Sequence, residues 1–129
     1  MRLLLDTHAL LWWLGHDRRM PARAIRAVSA ERNDVYVSSA SVWEIVIKVG
    51  AGRLELGGPP ATVIPDQLEL NGFTPLAVEL SHVLEAVGLP PVHRDPFDRL
   101  LVAQAIREQL VLVTADEHVR SYPVRTLWE

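Results

Sequence analysis

Five acids stand where apolar segments of this chain break off. Asp6 follows "RLLL", Glu44 lies in "SASVWEIVIKVG" just after "VYVS", Asp95 and Asp98 form "DPFD", and Asp116 follows "LVLVTA". Each also has a local role open to it. Asp6 can cap the segment "THALLWWL", because an aspartate at a helix start accepts backbone N–H bonds. Glu44 completes a capping box counted from Ser41, and Lys48, four residues on, offers it an ion pair. Asp95 before Pro96 reads as a cap followed by proline at the first helical position, with Asp98 in the turn where the helix dipole favours negative charge. Asp116 can cap "EHVRSY", with Thr114 sharing that task or holding a carboxylate by its hydroxyl. Of the "DPFD" pair, Asp98 is favoured as the functional acid, since Asp95 has the turn to start.

Local roles do not explain why four separate strand-to-helix junctions each carry an acid at the same edge. Carboxylates about 4 Å apart repel by about 4 kcal/mol per pair at an effective dielectric near 20. A cluster of them must therefore take up protons or a cation. An oxygen-only set suits a hard dication, Mg²⁺ with Mn²⁺ as the alternative, whose remaining ligands are water and phosphate. The five histidines, His8, His16, His82, His93 and His118, lack the i, i+4 pairing of a zinc helix and are left outside the site. There is no glycine-rich phosphate loop, no GxSxG elbow and no cysteine, which argues against nucleoside triphosphatases and covalent hydrolases.

The elements that must position these acids alternate. Strands are expected at "RLLL", "VYVS", "LVLVTAD" and "VRTLW", with a short extended piece at "FTPLAV". Helices are expected over "THALLWWLG", "PARAIRAVSAER" with Pro21 in its first turn, "SASVWEIVIKVG", and "ATVIPDQLELNG" with Pro65 near its start. Further helices are expected over "LSHVLEAVG" behind a Ser81 cap and over "DPFDRLLVAQAIREQ", and "EHVRSY" is a single turn. In the third helix Val42, Ile45, Val46 and Val49 form the apolar stripe, and Glu44 points away from it. This alternation predicts an α/β fold, a mostly parallel sheet covered on both faces, with ligands outside the carboxyl ends of its strands.

The 129 residues fit a single domain over residues 1–129, and 49% apolar with 22% charged residues is globular. No apolar run approaches the roughly 20 residues that span a membrane, and the N-terminus lacks a secretory signal, so a cytoplasmic protein is expected. The net charge of −3 does not announce a nucleic-acid binder. Its basic residues are nonetheless almost all arginine, grouped at Arg18, Arg19, Arg23 and Arg26 and again at Arg94 and Arg99, the residue type suited to bidentate phosphate contacts.

Four blocks taken together, "LLLDTHALLWWL", "VSSASVWEIVIKVGAGRL", "LPPVHRDPFDRLLVAQA" and "LVTADEHVRSYPV", resemble the PIN-domain toxins of the VapC type, in order and through almost the whole chain. The resemblance implies a PIN-like three-layer α/β/α sandwich with a central mostly parallel sheet. It implies a metal-dependent ribonuclease partnered by a small antitoxin that blocks the active site and, with the toxin, represses their operon, so that operator DNA is met only through the antitoxin. The acidic site it implies falls on Asp6, Glu44, Asp98 and Asp116, serving both as metal ligands and in catalysis. Thr7 and Ser38 or Ser39 match polar positions that support substrate or ligands, and Arg94 and Arg99 are candidates for flanking phosphates. A homodimer is expected from the resemblance and from the apolar first helix.

The chemistry expected is hydrolysis of RNA by metal-activated water, leaving 5′-phosphate and 3′-hydroxyl ends. Two other readings compete. In a non-catalytic interaction module of PIN-like fold the acids would be caps, and the exposed parts of Trp12, Trp13 and Trp43 would form the partner surface. A phosphatase of the haloacid-dehalogenase type also begins with a strand-end aspartate, but it needs a second aspartate where this chain has His8.

Overall fold

The computed structural model describes residues 1–129. Five strands, β1 (Arg2–Leu5), β2 (Asp34–Ser38), β3 (Thr74–Leu76), β4 (Val111–Val113) and β5 (Thr126–Leu127), form one sheet in the order β3-β2-β1-β4-β5. Every pairing is parallel, with Leu3 opposite Val35 on one side and Val111 on the other. A parallel sheet is covered on both faces, so its central strands read as unbroken apolar runs. That is why "RLLL" and "VLV" carry no polar alternation.

The pleat sorts those runs between two cores. Leu3, Leu5, Val35, Val37, Val111 and Val113 face one, and Leu4 and Leu112 face the other. The first and larger core is covered by α1 (Thr7–Leu14), α2 (Ala22–Ser29), α3 (Ser39–Gly50) and α4 (Pro60–Asn71), and includes Leu10, Ala24, Ile45 and Ile64. The second is closed by α6 (Pro96–Glu108) through Leu101, Val102 and Ala105, together with Val119 and Tyr122 around a short 3-10 turn over Glu117–Ser121. Helix α5 (Leu80–Gly88) packs on α6. The result is a three-layer α/β/α sandwich. Leu3, Leu4 and Leu5 are wholly buried, and each such side chain contributes about 1.5–3 kcal/mol by leaving water.

Several boundaries differ from the sequence reading. Helix α3 starts directly from β2, so its cap is Ser38, whose hydroxyl accepts the Ala40 N–H, and Ser41 lies inside the helix. Helix α5 is capped by Glu79 in a box closed by the His82 ring, and Ser81 has no part in it. Pro21 is the cap of α2 rather than a member of its first turn. Pro65 falls in the second turn of α4, because that helix begins at Pro60. Trp12 and Trp13 pack against the larger core, and Trp13 Nε1 donates to Asn71 Oδ1 at 3.0 Å. Only Trp43 of the three tryptophans proposed as a partner surface is mostly exposed.

Candidate active site

In an open parallel sheet, ligands collect where the strand order reverses, beyond the carboxyl ends of the strands. Here the order reverses between β1 and β4. Their ends are tied by the Asp6 N–H donating to the Val113 carbonyl at 3.1 Å. Asp6 and Asp116 flank that switch point, the first leaving β1 and the second leaving β4 by way of Thr114.

Each acid is held by its own element. Asp6 caps α1, its Oδ1 accepting the Ala9 N–H at 2.8 Å. Burial pushes its carboxyl pKa up, while the Thr114 hydroxyl and the Ala9 N–H pull it back and the charge of Asp116 raises it further. Asp116 caps the 3-10 turn, its Oδ1 accepting from the His118 N–H at 2.9 Å, and its own N–H donates to Thr114 Oγ1 at 3.0 Å. Thr114 is thus the hydroxyl between the two strand-end acids. Asp95 caps α6, accepting the Phe97 N–H at 2.8 Å, and leaves Asp98 in the first turn.

Asp98 records the cluster most clearly. Its pKa is pushed up to about 7, first by burial and then by the charges of Asp95, Asp6 and Glu44, with His93 pulling the other way. Acids from β1, α3 and α6 therefore sense one another, and Asp6 senses Asp116. Glu44, in the second turn of α3, is 8% exposed. Its Oε2 lies 3.2 Å from Lys48 Nζ, whereas its Oε1 is buried without any hydrogen-bond partner. The ion pair with Lys48 is mostly enclosed and uses only half of the carboxylate.

One residue of this cluster was left outside the site by the sequence reading. His93 Nε2 lies 2.7 Å from Asp116 Oδ2 and 3.1 Å from Asp98 Oδ2, and these ligand-type atoms fall within 4.8 Å of one another. Its Nδ1 accepts the Asp95 N–H at 3.1 Å, which places the hydrogen of a neutral ring on Nε2. Nε2–H then donates to Asp116 Oδ2, with Asp98 Oδ2 3.1 Å from the same nitrogen, and Nε2 is not a ligand. The metal-type donors of the site are therefore oxygens, and an orphaned buried oxygen on Glu44 is what a hard dication would satisfy. Asp98 and Asp116 offer oxygens within 4.8 Å of each other, as such an ion requires, and Asp6 and Glu44 join the cluster through their charges. The one sequence cue for His93 is its position in "LPPVHRDPFD", two residues before the cap of α6.

The supporting residues divide. Thr7 is buried and donates from Oγ1 to Ser41 Oγ at 3.1 Å, and Ser38 is committed to its cap. Ser39 and Arg94 are exposed. Arg99 is not free for phosphate: its guanidinium donates to the carbonyls of Ala86, Leu89 and Pro90 at 2.8–3.1 Å and reaches Tyr122 Oη at 3.4 Å. It closes the carboxyl end of α5 and the loop beyond it, which is a correction to its assignment as a substrate contact. His8 stacks on Trp12 with ring centroids 5.8 Å apart.

The PIN domain family model matches residues 3–124. Ribonuclease VapC22 of Mycobacterium tuberculosis is 31% identical over 134 residues, covering 98% of each chain. Among solved structures, VapBC2 from Rickettsia felis bound to a DNA fragment from their promoter superposes with a TM-score of 0.75 at 16% identity, over the full length of both chains. FitAcB from Neisseria gonorrhoeae does so with a TM-score of 0.67 at 21% identity, over 97% of this chain and 96% of that one. With its acids at the switch point of a five-stranded parallel sheet and a full-length ribonuclease relative, this chain belongs to the PIN-domain family.

Proposed function

We propose that this chain is a metal-dependent endoribonuclease, the toxin of a toxin-antitoxin pair, working as a single PIN domain over residues 1–129. What supports the proposal is that Asp98 and Asp116 offer oxygens within 4.8 Å of each other, that Asp98 feels the charges of Asp6 and Glu44 and Asp6 that of Asp116, and that one buried Glu44 oxygen is left unpartnered. The VapC22 relative supports the ribonuclease reading, and the VapBC structures support the pairing with an antitoxin.

Asp6, Asp98 and Asp116 would hold Mg²⁺, or Mn²⁺, with Glu44 completing the set. The bound ion would acidify its water and offset charge on the phosphodiester. The chain's own groups do the rest. Glu44 Oε1, free of any hydrogen bond, is the oxygen that would complete the set, while Lys48 holds the other oxygen and fixes the carboxylate's orientation. Thr114 keeps Asp6 and Asp116 in register. Arg94, exposed beside His93, is the cation available for a flanking phosphate. Cleavage would leave 5′-phosphate and 3′-hydroxyl ends.

No helix is long and apolar enough to cross a membrane. We place the protein in the cytoplasm, with RNA as substrate, an antitoxin as partner, and operator DNA reached only through that antitoxin. The homodimer we propose uses α5 rather than the first helix. Leu80, Val83, Leu84 and Val87, at helical spacing, are 73, 42, 61 and 76% exposed, whereas α1 is spent on the core. Brief induced expression followed by mapping of new RNA 5′ ends tests activity and target together. Discrete new ends that vanish with Asp116→Asn are the expected result, and an unchanged RNA population would refute the proposal.

A further inference from the structure

His93 is held more firmly than an incidental neighbour of two acids needs to be. Its backbone N–H donates to Tyr122 Oη at 2.8 Å, and Tyr122 is buried in the smaller core. Its Nδ1 takes the Asp95 N–H, so the backbone at the start of α6 sets the tautomer. The His118 ring meets it edge-on, with centroids 6.2 Å apart. The loop that carries it is pinned by Arg99 through the Leu89 and Pro90 carbonyls. These contacts turn Nε2–H onto Asp116 Oδ2 at 2.7 Å, with Asp98 Oδ2 3.1 Å from the same nitrogen.

A cation on Asp116 Oδ2 and this N–H would compete for the same oxygen. The acids do not depend on the imidazole for their own placement. Asp98 is carried by the first turn of α6, and Asp116 is fixed by the His118 N–H. Taking the ring away frees the Asp116 oxygen of a rival, while Asp116 keeps its bond from the His118 N–H and Asp98 its place on α6.

We propose that His93 is an internal competitor for the metal: a positioning residue whose Nε2–H holds Asp116 Oδ2, beside Asp98, and must yield before a divalent cation can take that oxygen. This rests on the metal-dependent reading above and adds to it a residue that sets how much free cation the site requires. A competing arrangement lowers apparent affinity by the fraction of molecules it occupies. The expected effect of removing the ring is a tightening of Mg²⁺ binding by about tenfold.

The test is Mg²⁺ binding to the full chain after EDTA treatment, followed by amide NMR at pH 8.5, above the Asp98 pKa of about 7, so that proton release from that carboxyl does not enter. His93→Ala should bind Mg²⁺ about tenfold more tightly than wild type. His93→Gln, which keeps an N–H donor, should stay near wild type. Ring ¹⁵N spectra of the wild type need no variant at all. They should show hydrogen on Nε2 of His93 without Mg²⁺ and a displaced His93 signal at saturation. Unchanged or weaker binding by His93→Ala, or a His93 ring signal indifferent to Mg²⁺, would overturn the competitor role while leaving the nuclease reading intact. Failure of the wild type itself to bind Mg²⁺ or Mn²⁺ would overturn both.

Discussion

Glu44 gives one carboxylate oxygen to Lys48, 3.2 Å away, and keeps the other buried with no partner. Lys48 is the only lysine in the chain. A buried charge that loses its partner is costly, because its desolvation is no longer offset. Lys48→Met should therefore destabilise the EDTA-treated protein by about 1–3 kcal/mol. Mg²⁺ should restore part of that loss by supplying the missing positive charge. Urea unfolding with and without Mg²⁺ measures both, and a variant as stable as wild type in EDTA would contradict the account.

Asp98 makes stability depend on pH in a set direction. Its folded pKa, about 7, stands above the ordinary value of 3.8. Between those values the folded protein holds a proton that the unfolded chain has released. Its contribution is therefore complete below about pH 4 and is lost as pH rises through about 7. Asp6, whose pKa is also raised, acts in the same direction. In EDTA, thermal melts should show stability falling from pH 5 to pH 8, and Asp98→Asn should flatten part of that slope. Mg²⁺ affinity should move the opposite way and rise over the same interval, since the ion needs the ionised carboxylate. A slope that Asp98→Asn leaves untouched would assign the effect to another group.

Arg94 and Arg99 are neighbours in sequence with separate tasks. Arg99→Ala removes the guanidinium that closes α5, and should lower stability by about 2 kcal/mol. Replacement by lysine should not rescue it, because an ammonium cannot reproduce the planar fork. Arg94→Ala should leave unfolding within about 0.5 kcal/mol of wild type, as exposed substitutions do, while weakening RNA binding. It should also reduce the salt dependence of that binding by about one phosphate contact. Parallel melts and filter-binding titrations separate the two, and equal destabilisation by both variants would contradict this division.

Much of the architecture was readable from the chain, because a parallel sheet writes itself plainly. Strands buried on both faces are short apolar runs, the helices between them have amphipathic spacing, and acids stand at the junctions. What sequence alone did not show depends on contacts between distant segments. The Ser41-to-Glu44 spacing imitates a capping box, but β2 runs into α3 without a loop and Ser38 takes the cap. The box on α5 is closed by His82, outside the usual serine or threonine pattern. His93 reaches the acids because Tyr122, 29 residues on, holds its backbone, and Asp95 holds its ring. Arg99 looks like a phosphate ligand until the loop after α5 folds back onto it.

The central claim is that Asp6, Glu44, Asp98 and Asp116 form one metal-dependent phosphodiesterase centre. It is tested most directly by RNA cleavage with purified protein in Mg²⁺, comparing wild type with Asp6→Asn and Asp116→Asn, each shown to be folded. Losing an essential acid of one cluster should cost at least about 10²-fold in rate, and EDTA should abolish the wild-type activity. Cleavage by either variant at the wild-type rate, or wild-type cleavage that persists in EDTA, would contradict it.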